Sequence, residues 1–67
     1  MTLKDIIQNY KKENGLKYID LQHMTNVSRR TFEDYGCGTY KRMSYPTAKA
    51  INAGLGIEWE ILEPFIY

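Results

Sequence analysis

The side chains best suited to hydrogen bonding a partner lie together at mid-chain: Arg29, Arg30, Glu33 and Asp34. Arginine donates through a planar fork of N–H groups, and ionised carboxylates accept. Ser28 precedes them and is a favoured helix N-cap, because its hydroxyl can accept from an orphan backbone N–H of the first turn. The pattern predicts a helix over 28–35 with donors and acceptors on its outer face.

The same helix has an apolar back. Phe32 and Tyr35 are three residues apart, so they share one face, away from the charged residues. A short helix with an apolar back and a polar front is suited to recognising another molecule. It needs other helices to hold it in place.

Two helices are predicted before it. The first, over 3–14, has apolar residues at the i, i+3, i+4, i+7 spacing of one buried stripe, namely Leu3, Ile6, Ile7 and Tyr10. Thr2-x-x-Asp5 resembles a capping box, and Gly15 can end this helix in the left-handed conformation. The second helix, over 17–25, leads into a tight turn at Asn26, which tolerates positive φ.

Two helices are predicted after it. Ser44 and Pro46 favour the start of one over 45–54, because proline fits the first helical turn. A last helix over 57–63 is stopped by Pro64, and an apolar tail, Phe65-Ile66-Tyr67, trails off beyond it. No segment has the alternation of a strand, so the expected fold class is all-α, a single domain over 1–67.

Sixty-seven residues are a marginal length for an independent core, so oligomerisation is a plausible support. The lone Cys37 cannot form an intramolecular disulfide, and no Cys/His cluster predicts a metal. No apolar run approaches the roughly 20 residues that span a membrane, and Met1–Asp5 lacks the pattern of a signal peptide. We expect a cytoplasmic protein with neither a cofactor nor a bound metal.

The charge is unevenly distributed. All nine Lys and Arg and five of the eight acids lie at or before Lys49, which gives 9 − 5 = +4 for that part. The remaining acids, Glu58, Glu60 and Glu63, give −3, so the net charge is +1. A basic body with an acidic, apolar end suggests two surfaces with different partners. Chance is the alternative explanation for so small an asymmetry.

Three spaced motifs run through the chain: Leu16-x4-Leu21-x5-Val27-Ser28, Gly38-x2-Lys41-Arg42 and Ala48-x2-Ile51-x3-Leu55-Gly56-Ile57. In this order they resemble the helix-turn-helix, the basic loop after it and the end of the fourth helix in the Cro/C1-type (XRE) repressor family. The resemblance covers roughly residues 2–62. It implies a compact five-helix, lambda-repressor-like helix-turn-helix domain.

Four positions differ from the usual residues of that family. Gln22 stands where most members have alanine directly after the leucine of the second helix. Tyr18 replaces the usual glutamine at the start of that helix, Gly36 a glutamate near the end of the third, and Asn26 the glycine of the turn.

The resemblance implies that the third helix lies in the DNA major groove, where its first residues reach base edges. Arg29, Arg30 and Asp34 are then the base-reading residues, because the arginine fork matches O6 and N7 of guanine. Glu33 or Asp34 either accepts from cytosine or holds an arginine through an i, i+4 pair. A solvated helix face is the alternative for both arginines. The remaining implied DNA-binding residues, which would contact the phosphate backbone, are Lys17, Tyr18, Ser28, Lys41 and Arg42.

Apolar side chains near the C-terminal end exceed what one small core needs, and we expect them to form a dimer interface: Trp59, Leu62, Phe65 and Ile66. The alternative is that all of them are core. A two-fold dimer would read half-sites about 34 Å apart.

The expected function is that of a sequence-specific double-stranded DNA-binding transcriptional regulator, a homodimeric repressor from a phage or other mobile element. The alternative is a phage-encoded inhibitor of the anti-CRISPR or antirepressor type. Such an inhibitor would use the same scaffold, the mixed charges and the six tyrosines to bind a protein partner. No nucleophile with a neighbouring base and no phosphate-binding glycine loop is evident, so we expect no enzyme activity.

Overall fold

Five α-helices and a final 3-10 turn make up the chain, whose computed structural model describes residues 1–67. The helices are α1 (Leu3–Asn14), α2 (Tyr18–Thr25), α3 (Arg29–Cys37), α4 (Tyr45–Leu55) and α5 (Trp59–Leu62), followed by the 3-10 turn Glu63–Phe65. There is no sheet, and Met43 and Ile66 form a single isolated parallel bridge. The all-α prediction is confirmed.

The predicted capping box starts α1. Thr2 Oγ1 accepts from the Asp5 N–H at 3.2 Å, and Asp5 Oδ2 accepts from the Thr2 N–H at 3.0 Å. Gly15, at φ 62°, ends the helix and returns its N–H to the Lys11 carbonyl. These reciprocal bonds satisfy orphan groups at both ends of α1.

Two glycines lie inside helices. The third helix continues through Gly36, past its predicted end at Tyr35, to Cys37, and Gly38 caps it at φ 81°. Gly54 lies inside α4, at a position where a Cβ would overlap the Met24 carbonyl and the Thr25 side chain. The lack of a side chain therefore lets α4 pack closely against the end of α2.

The C-terminal helix is shorter than predicted, and the tail after it is held by backbone hydrogen bonds. The fifth helix spans four residues rather than 57–63. The tail does not trail off: the Met43 N–H donates to the Phe65 carbonyl at 2.7 Å, and the Tyr67 N–H donates to the Met43 carbonyl at 3.0 Å. Backbone bonds thus fasten the tail to the loop that precedes α4.

Phe32 lies in the core with no exposed surface, and Tyr35 beside it is almost fully buried. Their rings meet edge to face at a centroid distance of 6.3 Å. Burial raises the pKa of the Tyr35 phenol, although a hydrogen bond with Thr47 acts in the opposite direction. The apolar back of α3 is therefore packed, mainly against α1 and α2, and its charged face remains outward.

Candidate nucleic-acid interface

The start of α3 is capped from two directions. Ser28 Oγ accepts from the Arg30 N–H at 3.2 Å, as predicted for an N-cap. Gln22 Oε1, from α2, accepts from the Arg29 N–H at 2.8 Å. The second bond ties the first residue of α3 to α2 and so sets where α3 begins.

The connection between α2 and α3 is tight. Asn26 takes the left-handed conformation, at φ 63°, and its N–H donates to the Gln22 carbonyl at 2.7 Å. Thr25 Oγ1 accepts from the Val27 N–H at 3.1 Å. With these bonds the turn holds α2 and α3 in a defined relative orientation.

The two arginines of α3 are exposed and differently restrained. Arg29 Nε lies 3.0 Å from Glu33 Oε2, which is hydrogen-bond distance, and its side chain is 60% exposed. Arg30 Nε lies 3.9 Å from Asp34 Oδ1, too far for a hydrogen bond, and its side chain is 84% exposed. Arg29 is therefore held by its neighbour, whereas Arg30 is free to extend.

The acidic residues of α3 lie next to its arginines. Glu33 and Asp34 each stand beside an arginine, so the exposed face of α3 carries no net charge. Because the closest contact in each pair uses Nε, the terminal N–H groups of both arginines remain available to an external acceptor.

Tyr18 differs from its expected place at a phosphate. Its hydroxyl accepts from Gln8 Nε2 at 3.1 Å, and Lys11 Nζ lies 3.6 Å from its ring centroid. Gln8 Nε2 also donates to the Gly36 carbonyl at 2.9 Å, and the Tyr18 hydroxyl fills the space beside Gly36. These contacts turn Tyr18 towards α1 and α3, so it serves to join three helices.

The other expected phosphate contacts lie on the surface. Lys17 is exposed directly before α2, and its N–H donates to Asp20 Oδ2 at 2.8 Å. Lys41 and Arg42 are exposed in the loop after α3, and neither forms an ion pair. Arg29 and this loop stand at opposite ends of α3, a separation of roughly 13 Å along a helix of nine residues.

The expected dimer residues are mostly turned inward. Leu62 has no exposed surface because its side chain belongs to the core of the single chain, so it cannot contact a partner. Trp59, Phe65 and Ile66 are half-buried and pack against the same core. The exposed apolar residue of α5 is Ile61, at 42%, which borders a shallow groove of about 220 Å³ between α1 and α5.

Gln8 and Gln22 were missed by sequence reasoning. Each reaches across to another helix, and a polar residue that bonds a distant backbone group leaves no periodic signal in the sequence. The sequence predicts Leu62 as a dimer contact rather than its neighbour Ile61, and both lie in a helix of one turn. In so short a segment the apolar spacing does not distinguish the inner side from the outer one.

No three His, Cys, Asp or Glu side chains are grouped in a way that could hold a metal ion. None of the helices combines the length and the apolar character that a transmembrane segment requires. Comparison of the chain with family models, curated proteins and solved structures found no match.

Proposed function

We propose that the chain is a sequence-specific double-stranded DNA-binding regulator in which α3 enters the major groove. The observation that carries this proposal is the exposure of Arg29 and Arg30 at the start of a doubly capped helix. The tight turn at Asn26 joins that helix to α2 in the manner of a helix-turn-helix. The motif spacing that resembles the Cro/C1-type family supports the same function.

The two arginines have different roles in this proposal. Arg30, the less restrained, extends to a guanine and donates to O6 and N7. Arg29 approaches the neighbouring base with its Nε already held by Glu33. Asp34 accepts from a cytosine amino group or stays with Arg30.

Affinity comes from phosphate contacts outside the reading face. Lys41 and Arg42 are exposed and form no ion pair, and they contact the DNA backbone beyond the end of α3. Lys17 and Ser28 approach phosphates near its start. Tyr18 is not assigned a phosphate contact, because its hydroxyl lies against Gly36, between α1 and α3, where it accepts from Gln8.

A homodimer completes the proposal. The surface around Ile61, with Met1 beside it in the shallow groove, replaces Leu62 as the apolar contact between two copies. Two-fold symmetry would place the α3 helices on half-sites about 34 Å apart, and operator occupancy would repress by excluding polymerase. Small single-domain regulators of phages and mobile elements are the proposed class.

The test is selection of bound sites from random-sequence duplex DNA at 50 mM and 200 mM salt. We expect a short palindrome and a steep loss of affinity at the higher salt. Arg30→Ala should cost about 1–3 kcal/mol on the selected site, the value of one bidentate arginine–guanine contact. Lys12→Ala, at an exposed position of α1, is the matched control. Absence of binding at low salt would exclude the proposal.

The second candidate is an inhibitor that binds another protein through the same face. The zero net charge of that face favours it, because its carboxylates repel phosphate, whereas a protein surface can present charges complementary to both the arginines and the acids. Exposed tyrosines such as Tyr40 and Tyr45 fit the same function. Capture of one protein that Arg29→Glu releases, together with no affinity for DNA, would establish this candidate over the regulator.

A further inference from the structure

A cleft of about 400 Å³ opens between the start of α1, the loop after α3 and the C-terminal tail. It is the larger of the two concavities in the molecule and lies within the size range of small-molecule sites. The proposed DNA-reading face of α3 contributes none of its lining residues.

The lining combines apolar walls with a cationic rim. The apolar walls come from Tyr40, Pro64 and Phe65, and the rim comes from Lys4, Lys41 and Arg42. No carboxylate lines the cleft. The combination presents hydrocarbon and aromatic surface to the body of a ligand and positive charge to one end of it.

The three cations have no partner within the chain. The ion pairs of the structure are those of Arg29 and Arg30, and neither includes a cleft residue. Asp5, next in sequence to Lys4, hydrogen-bonds the Thr2 N–H and forms no ion pair with Lys4, although the charge of Lys4 is one of the smaller causes that lower the pKa of the Asp5 carboxyl. The positive charge of the rim is therefore available to an external anion.

The walls are built before any ligand arrives. Backbone bonds between Met43 and the tail hold Phe65 in place, and the Asp34 carbonyl accepts from the N–H groups of Thr39 and Tyr40 at 2.9 and 3.4 Å. Gly38 has no side chain to fill the floor of the cleft, and its φ of 81° favours glycine at that position. A preformed site of this kind loses little affinity to ordering on binding.

We propose that this cleft binds a small amphipathic anion, a carboxylate or sulfonate carried on an aromatic or short aliphatic body. The body lies against Tyr40, Pro64 and Phe65, and the anionic group faces Lys4, Lys41 and Arg42. A neutral aromatic molecule would contact only the apolar walls, and an inorganic anion would contact only the cationic rim. A ligand that carries both an apolar body and an anionic group contacts the walls and the rim together.

This site shares Lys41 and Arg42 with the phosphate contacts of the proposed regulator, so its test contains no nucleic acid and is read without reference to DNA binding. The full chain, labelled with ¹⁵N, is titrated with naphthalene-2-sulfonate and followed by the backbone amide signals. We expect saturable shifts centred on Lys4, Gly38, Lys41 and Arg42, with a Kd of about 1 mM or tighter for a ligand of this size. The neutral analogue 2-naphthalenemethanol and inorganic sulfate should each bind at least about fivefold more weakly than naphthalene-2-sulfonate.

Two variants separate the charge from the fold. Lys41→Gln combined with Arg42→Gln should weaken sulfonate binding by about fivefold or more, since two exposed charges are removed. Lys12→Gln, at an exposed lysine outside the cleft, should leave it unchanged. The spectra of both variants establish that the chain remains folded.

Several results would overturn the proposal. These are a titration with no saturation, equal binding of the neutral analogue or of sulfate, unchanged binding in the double variant, and shifts centred on the Ile61 groove. None of them depends on whether α3 binds DNA. Failure of the DNA selection would likewise leave the cleft result intact.

Discussion

The hydroxyl of Tyr18 occupies the space that a Cβ on Gly36 would need. Gln8 completes the contact, because its Nε2 donates both to that hydroxyl and to the Gly36 carbonyl. The start of α2 and the end of α3 are thus matched to each other through α1. Tyr18 and Gly36 therefore form one contact, in which a side chain at either position depends on the other.

Gly36→Ala should destabilise the protein despite the better helix propensity of alanine. Propensity alone would favour alanine by about 1 kcal/mol, but overpacking in a tight site costs typically 1–3 kcal/mol. Urea unfolding, followed by the fluorescence of the single tryptophan, Trp59, measures the balance. In a Tyr18→Phe background the cost should fall, because the overlapping oxygen is gone. An equal cost in both backgrounds would refute the packing explanation.

Local spacing explains which parts of this fold the sequence could predict. The stripe from Leu3 to Tyr10 and the cap at Ser28 are properties of neighbouring residues, so the helices follow from them. The contact of Tyr18 with Gly36 and the bond from Gln22 to α3 depend on how helices pack, which no local pattern encodes.

The candidate site divides in the same way. The i, i+4 spacing named Glu33 as the partner for Arg29, but only the side-chain geometry shows that the pair forms. The inward orientation of Tyr18 could not be predicted from local spacing, because it depends on where α1 places Gln8. The burial of Leu62 beside the exposed Ile61 required the docking of α5 on the core.

Glu33→Gln should separate affinity from specificity in DNA binding. Removing the carboxylate eliminates a repulsion from phosphate, so binding to random duplex should strengthen by about two- to fivefold. It also releases Nε of Arg29, and preference for the selected site over random duplex should decrease. Fluorescence anisotropy on both duplexes measures the two effects. Glu63→Gln, at an exposed acid outside both α3 and the groove beside Ile61, controls for net charge. A uniform gain on both duplexes would show that Glu33 does not position Arg29.

The capping box of α1 should make its helix start sensitive to acid. Hydrogen bonding from the Thr2 backbone, and then from its side chain, lowers the pKa of Asp5 below 3.8. A group with a depressed folded pKa contributes stability above its unfolded pKa, and that contribution is lost as pH falls through the folded value. Carboxyl titration by NMR should therefore find Asp5 below 3.8, with the amides of the first turn of α1 changing over the same pH interval. Thr2→Ala removes the side-chain bond but keeps the Thr2 N–H, so the pKa of Asp5 should rise only part of the way towards 3.8. A parent chain in which the pKa of Asp5 is not lowered would contradict the capping explanation.

Ile61→Lys should prevent self-association without unfolding the chain. Ile61 is 42% exposed beside an apolar groove, so the lysine can reach water in the monomer but would place a charge in a contact between two copies. Ile19→Lys is the matched control, because Ile19 is 38% exposed on α2, away from that groove. Sedimentation velocity should find a dimer for the parent chain and for Ile19→Lys, and a monomer for Ile61→Lys. A parent chain that is monomeric at all concentrations would exclude the proposed dimer. A dimer that survives Ile61→Lys would place its interface elsewhere on the surface.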